Sequence, residues 1–436
     1  MSIWSQASQL AEQTPPERNR YADFLRAASI LFVVYGHWLM ATAFFNTSTG
    51  ELTPLMILDE APWTHLLTWL FQVMPIFFIV GGYSNAISLE SARKKNIDYA
   101  GWLGNRLHRL LTPLLFFIIV WAVLSVVLSL AGIEPEKVTM LAKVALLPTW
   151  FLAIYTLIVL LAPLSYAFWQ RWGIASLFVY IGLAMLVDLA FFNLEWHLLG
   201  WANYFWVWLA MHHLGFAWRD GRLPRPFLLV CLSLISLIVL TVLVHYGPYP
   251  SAMAGSPGDA VSNTLPPKIT LIALGLFQFG LLLSIEQFMQ RVLSNKTFWT
   301  LTVIVNTMIM TVYLWNMTVV IVLMAVLSQL NGLGLTIAPD SAVWWASRPL
   351  WLGALTLLLL PIAMLLSPLE RVSRAKDAPN KQSWQLILGA TLAGAGITIL
   401  TIVGFDGNLL SGLDGLALLS LIGGALIAGV SVRLRA

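Results

Sequence analysis

Arg26 and His37 are the residues of this chain whose types and spacing best suit chemistry. Both lie in one apolar run, from Tyr21 to His37, and a guanidinium and an imidazole are each costly inside hydrocarbon, so their presence needs a reason. On a helix, eleven residues advance about 16 Å and rotate by about three turns plus 20°. The two groups therefore share one stripe, with Arg26 near one membrane surface and His37 about two-thirds of the way through the bilayer. That stripe suits a long, charged-headed molecule threading inward, its phosphates on the Arg and its reactive end at the His. Arg presents a planar fork that matches phosphate or carboxylate; the plainer use of Arg26 is snorkelling to the headgroups. Asp23, three residues earlier, can hold the guanidinium from the same face. A His with an ordinary pKa of about 6.5 can take a proton from a hydroxyl nucleophile and return it to a leaving group.

The elements that must position this pair are membrane helices. The chain has 436 residues, of which 59% are hydrophobic and only 10% charged, and its mean hydropathy is +0.81. A soluble globular chain carries roughly 25% charge, so the composition describes an all-α, polytopic membrane protein. Apolar stretches of about 20 residues, the spanning length, occur at 24–45, 66–89, 109–131, 150–169, 173–192, 199–217, 227–246, 269–289, 305–330, 346–367, 384–404 and 412–432. They predict about twelve spans, a ten-helix core and two further C-terminal helices. The stretch from Thr297 to Leu330 is too long for one span, which predicts an interfacial or kinked entry. The boundaries follow: a cytoplasmic segment over 1–20, a transmembrane core over 21–367, a charged linker over 368–383 and a two-helix extension over 384–436. The extension is rich in Gly, Ala and Leu and reads as packing.

Lys and Arg set the orientation. With the N-terminus inside, about 19 basic residues fall on cytoplasmic segments and about 4 outside, which puts both termini in the cytoplasm. The inside set includes Arg93, Lys94 and Lys95, then Arg219, Arg222 and Arg225, then Arg371, Arg374, Lys376 and Lys381, and finally Arg433 and Arg435. The longest outer loop, Gly247 to Lys268, is rich in Pro, Gly and Ser and reads as a lid or a connector. The calculated pI of 9.2 comes from charges scattered over short loops, so no nucleic-acid partner is expected. The single Cys231 excludes an internal disulfide, and no helix carries His, Asp or Glu at metal-ligand spacing, so no metal is expected.

Around the Arg–His pair the residues become familiar. The run Tyr21-x-Asp23-x-x-Arg26 leading to His37 resembles the first helix of the acyltransferase-3 family, integral-membrane O-acyltransferases that include bacterial O-antigen and peptidoglycan O-acetylases. Three further stretches resemble it in the same order. Met74-Pro-Ile-Phe-Phe-Ile-Val-Gly81-Gly82-Tyr83 is similar to the family's Phe-rich turn, with Gly81 where Ser is usual. Tyr99-x-x-Trp102-x-x-x-Arg106-x-x-Arg109-Leu-x-x-Pro113 resembles its basic approach to the third helix, and Pro148-Thr-Trp150-Phe151-Leu152 the opening of the fourth. These cover about the first 170 residues. Downstream, Tyr313-Leu-Trp-Asn316 stands where many members read Tyr-Leu-x-His, so that second His is absent.

The resemblance implies an acyl-CoA donor, acetyl-CoA in the simplest case, used on the cytoplasmic side as co-substrate with no tightly bound cofactor. The implied acceptor is a hydroxyl of an extracytoplasmic or lipid-linked carbohydrate, and the setting the inner membrane among its lipids. His37 and Arg26 are the candidate catalytic residues. Asp23, Arg106, Arg109, Tyr83, Trp150, His212 and Asp188 are the candidates for binding donor or acceptor. Several have plain structural readings beside these. Arg106 and Arg109 satisfy orientation alone, with His108 between them inert at the interface. Tyr83 follows a Gly pair that suits helix packing. Glu286 reads as a helix-end carboxylate in water. His212 and His213 point about 100° apart, so one of them at most readily faces the core. The rival function is a multi-span secondary transporter, but the central loop Trp218 to Pro226 is short and the two halves look dissimilar. A non-catalytic scaffold for polysaccharide assembly is the third possibility.

Overall fold

In the computed structural model, the described residues are 3–255, 259–372, 381–408 and 412–430. Residues 373–380 of the expected linker, with Arg374 and Lys376, and the terminal Arg433 and Arg435 lie outside them. Helix α1 (Ile3–Glu12) precedes α2 (Arg20–Met40), the helix that carries both Arg26 and His37. Asn19 starts α2 by accepting from the backbone N–H of Tyr21 and Ala22 at 3.0 and 3.1 Å, the usual office of an Asn at a helix N-cap.

A two-stranded hairpin, β1 (Ala41–Asn46) and β2 (Glu51–Met56), follows, and then two single-turn helices, α3 (Ile57–Glu60) and α4 (Thr68–Phe71). The long helices begin with α5 (Met74–Lys94) and α6 (Tyr99–Leu130), the latter capped by Asp98, which accepts from Gly101 N at 2.9 Å. Next come α7 (Pro135–Leu146), α8 (Thr149–Trp172), α9 (Ile174–Asn193), α10 (Asn203–Arg219) and α11 (Pro226–Tyr246). The C-terminal part holds α12 (Ile269–Ser284), α13 (Glu286–Val292), α14 (Lys296–Thr307), α15 (Ile309–Gln329), α16 (Ala342–Val372), α17 (Ser383–Val403) and α18 (Leu413–Ile427).

Each of the twelve apolar stretches contains helix, although the first ends in β1. Among the described residues, eight helices are long and apolar enough to cross a membrane, or nine if α12 and α13, bent by 56°, act as one span. Asp23, Arg26 and His37 dilute the apolar character of α2, and α10 and α18, at 17 and 15 residues, are short of the spanning length. The long stretch after Thr297 is divided at Met308, between α14 and α15, as its length required. The fold is mostly helical, as expected, with one short β hairpin after α2. Phe45 in β1 donates its backbone N–H to Leu335 O at 2.9 Å, which ties the hairpin to the turn after α15.

The chain forms two compact units. The first consists of Met1–Gly36, Met56–Glu90 and Ala162–Asn306. Its central helix is α10, buried along most of its length. A side chain on Gly82 would place its Cβ 2.0 Å from the His212 carbonyl oxygen, and one on Gly215 would sit 2.0 Å from the Ile79 carbonyl oxygen. Helices α5 and α10 therefore pack backbone to backbone, the close approach that paired small residues permit. The Gly247–Lys268 loop belongs to this unit and is tied down. Trp69 Nε1 and Gln72 Nε2 donate to the carbonyls of Ser251 and Met253 at 2.7 and 2.9 Å, and Met253 N donates to Thr68 Oγ1 at 2.7 Å. Of the two expectations for this segment, these bonds favour the fixed connector.

The second unit consists of His37–Leu55, Ser91–Leu161 and Thr307–Ala436. Helix α15 packs against α16, α7 and α6. Glu370 near the end of α16 caps its start, accepting from Thr311 N and Oγ1 at 2.7 and 2.6 Å, where a carboxylate complements the positive end of a helix dipole. Helices α17 and α18 pack through glycines: a Cβ on Gly389 or Gly396 would lie 2.5 Å from a carbonyl of α18. The pair rests on α6 and α7.

Candidate active site

The arginine end of α2 lies in the first unit. Arg26 Nη2 donates to Asp23 Oδ1 at 2.7 Å and its Nε to Asn306 Oδ1 at 2.8 Å. Asn306 in turn donates to the carbonyls of Asp23 and Thr302 at 3.0 and 2.9 Å, so its side-chain oxygen can only face the guanidinium. Asp23 also accepts from Arg18 Nε at 2.5 Å. Asp23 thus serves two guanidinium groups, and the Arg26 side chain keeps 30% of its exposure. The hydrogen bond to Asp23 raises the Arg18 guanidinium above its ordinary range. The Arg26 fork is thus held in one orientation from two sides.

Tyr83 belongs to the same unit, its ring 4.5 Å from that of Trp218 and its hydroxyl near Asn19. Trp218 Nε1 and Asn19 Nδ2 both donate to Glu286, at 3.0 and 2.9 Å. Glu286 is thus a half-buried link in this network, which corrects its reading as a carboxylate in water.

The histidine end lies in the second unit. His37 Nδ1 is 3.1 Å from Asn316 Oδ1. Asn316 is fully buried and donates its Nδ2 to Tyr313 O at 2.5 Å, which turns its amide oxygen toward the imidazole. An amide oxygen only accepts, so Nδ1 carries the hydrogen and the neutral ring presents a lone pair at Nε2. His37 itself is only half buried. A base with a free Nε2 and a fixed orientation is what proton transfer to and from a substrate requires.

The surroundings hold that orientation. Trp38 Nε1 donates to Asn316 O at 2.9 Å and Trp351 Nε1 to Trp38 O at 3.1 Å. The Tyr313 hydroxyl donates to Pro148 O at 2.6 Å, and its ring meets Phe151 edge-on at 5.8 Å. The Pro148–Leu152 and Tyr313–Asn316 stretches, 165 residues apart, therefore meet.

The other expected site residues have their own described surroundings. Arg106 lies over the ring of Trp102 at 5.9 Å and Arg109 is exposed. Trp150 is half-buried beside Phe151. His212 is fully buried, its Nε2 3.1 Å from Asn85 Nδ2 in the α5–α10 contact. His213 bonds Leu209 O at 3.0 Å. Asp188 accepts from Asn203 Nδ2 and Ile269 N at 2.8 Å each and from the Tyr249 hydroxyl at 3.1 Å, so it anchors the loop before α12. No His is among its described partners. Burial and the neighbouring Asp188 carboxylate push the Tyr249 hydroxyl up from its ordinary value.

Sequence reasoning missed three residues. Asn306 carried no signal beyond its place ten residues before Asn316. Lys268, fully buried with its ammonium 3.5 Å above the Phe191 ring, is a loop lysine by sequence. Arg348 stands two residues inside the predicted tenth span, and an intramembrane cation is itself a signal. Among the described residues, no group of three or more His, Cys, Asp or Glu side chains is placed to hold a metal ion.

A family model, described as an acyltransferase domain, matches residues 19–368, most of the chain, from the start of α2 to near the end of α16. No curated protein and no solved structure matches the chain.

Proposed function

The chain belongs to this acyltransferase family of multi-pass membrane proteins, and on that premise we propose that it moves an acyl group, acetyl in the simplest case, from acyl-CoA to a carbohydrate hydroxyl. The donor's phosphates engage Arg26, whose fork is held by Asp23 and Asn306. Its pantetheine arm follows α2 toward His37, eleven residues and about 16 Å further along. His37 Nε2 takes the proton of the acceptor hydroxyl, and the oxygen attacks the thioester carbonyl carbon. The C–O bond forms, the C–S bond breaks, and the departing thiolate recovers the proton from His37 to leave an ester and free CoA. A route through an acyl-His37 intermediate uses the same lone pair, the hydroxyl displacing the imidazole in a second step. Cytoplasmic acyl-CoA and an acceptor at or beyond the outer face of the inner membrane fit the distribution of Lys and Arg.

The observation that carries this reading is the His37–Asn316 hydrogen bond, since it leaves Nε2 as a base. Purified protein in vesicles, given labelled acetyl-CoA and a glycan or glycolipid fraction, should transfer label and release CoA thiol. His37→Ala should lower transfer by about 100-fold or more, the usual range for loss of a general base, with the protein still folded in the membrane. Wild-type turnover in that variant rejects the proposal.

A further inference from the structure

Arg348 is 8% exposed, on the second turn of α16. Its guanidinium carbon lies 3.9 Å from the ring centre of Trp344 and 5.2 Å from that of Trp351. Its Nε donates to Trp344 O at 3.2 Å and its Nη2 to Ser347 Oγ at 3.1 Å. A guanidinium has five N–H donors, and these bonds engage two of them. Among the described residues no carboxylate forms an ion pair with it. A snorkelling Arg delivers its head to water; this one also sets its guanidinium over two indole rings.

The cation is also joined to the histidine. Trp351, one face of its aromatic slot, donates to the carbonyl of Trp38, the residue after His37, and Trp38 donates to Asn316. All of these residues lie in the second unit. Aromatic faces offset part of the cost of a buried cation, but the vacant donors of a fork call for an oxyanion. The donor's phosphates do not serve if they rest on Arg26. Trp38, the residue after His37, is twelve residues or about 18 Å of helix from Arg26.

We propose that Arg348 binds an oxyanion carried by the acceptor and thereby selects which hydroxyl reaches His37. The substrate class is an anionic carbohydrate. This rests on the acyl-transfer reading for its consequence, though not for the binding itself. Two sources supply the chemistry: a phosphate joined to the sugar, as in a lipid-linked carrier, or the carboxylate of an acidic sugar.

The test uses purified full-length protein in neutral-lipid vesicles with three probes: glucose 1-phosphate, glucuronate and methyl glucoside. Binding is read by the ligand-induced shift in melting temperature, transfer by the ratio of kcat/KM for each anionic sugar to that for methyl glucoside. That ratio does not depend on how much of a variant is folded. Wild type should favour at least one anionic probe. Arg348→Met should lower that preference by about 10–100-fold, the worth of a charge-assisted hydrogen bond. Arg348→Lys, which keeps the charge and loses the fork, should fall between, and it carries the comparison if Arg348→Met does not fold. A response to glucose 1-phosphate alone identifies the phosphate source, and to glucuronate alone the carboxylate. Equal binding and equal ratios for anionic and neutral probes, in wild type and both variants, overturn the inference. Acetyl transfer that needs His37 but ignores Arg348 sinks this inference alone. Arg348-dependent binding without any acyl transfer leaves the anion site and sinks the enzymatic reading.

Discussion

His37 Nδ1 stands 3.1 Å from the side-chain oxygen of Asn316, a residue 279 positions away in the chain. A neutral amide fixes the ring's tautomer without holding a counter-charge against it, so the ring can gain and lose a proton within one turnover. Replacing Asn316 by Leu leaves the ring free to adopt the other tautomer, which puts the hydrogen on the reacting nitrogen. The expected result is a fall in kcat of about 10–100-fold, the usual cost of losing an orienting partner, with KM for acyl-CoA little changed. Asn316→His restores an acceptor for Nδ1–H and should retain activity within about 10-fold of wild type. Full activity in Asn316→Leu would show that ring orientation is set elsewhere.

Arg26 makes a different demand, because its fork rather than its charge alone is held in place. Asp23 grips one edge and Asn306 fixes Nε, while Asn306 is itself locked by two backbone carbonyls. Lys at this position keeps the charge but cannot make the two-sided contact. Arg26→Lys should raise KM for acyl-CoA by about 10-fold or more with a smaller effect on kcat, and Asn306→Ala should do the same more weakly. Steady-state kinetics with varied acyl-CoA separates the two parameters. A change confined to kcat would mean that Arg26 acts on the reacting centre and leaves the donor's phosphates to other residues.

Much of this architecture was legible because apolar length and the helical repeat are local properties. Each of the twelve apolar stretches contains helix, and Arg26 and His37 sit on one continuous helix, α2. What failed was local in the opposite sense. Helix α7 is short, and the hairpin at 41–56 takes the last residues of the first apolar stretch and the loop after it. Three charged or polar groups in α2 and the shortness of α10 and α18 lower the number of helices that span by length and composition. In the candidate site, Asp23 was readable three residues from Arg26, whereas Asn306 and Asn316 meet their partners across 280 and 279 residues. No periodicity reports a contact of that range. The loss of the expected His at 316 looked like a gap in the machinery; the fold places an acceptor there instead.

The crossing of α5 and α10 gives a stability test remote from the chemistry. At Gly82 an added methyl would overlap the His212 carbonyl oxygen, and at Gly215 the Ile79 carbonyl oxygen, each at 2.0 Å. Backbone cannot yield as a flexible side chain can, so the helices must separate. Gly82→Ala or Gly215→Ala should destabilise the protein by about 1–3 kcal/mol, typical of overpacking, seen as a lower melting temperature in detergent. The double variant should cost less than the sum of the two, because the first separation makes room for the second methyl. Additive losses would mean that the two contacts give way independently.

Lys268 supplies a pH dependence with a definite sign. The residue is fully buried at the start of α12, over Phe191, and burial pushes its ammonium down to about 8, with Asp188 opposing the shift. In the unfolded chain the ammonium titrates at its ordinary value of 10.5. Below pH 8 both states carry the proton and the cost of a charge inside the fold is fully present. Between about pH 8 and 10.5 the folded protein holds fewer protons than the unfolded one, so this group makes stability rise with pH. Lys268→Met keeps the shape and removes the titration. It should melt higher than wild type at pH 7, by about 2 °C or more, and the difference should shrink as pH approaches 10. Calorimetry of both proteins across pH 7–10 checks the sign. A variant that melts lower at pH 7, or a gap that widens with pH, would mean that the ammonium is stabilised where it lies.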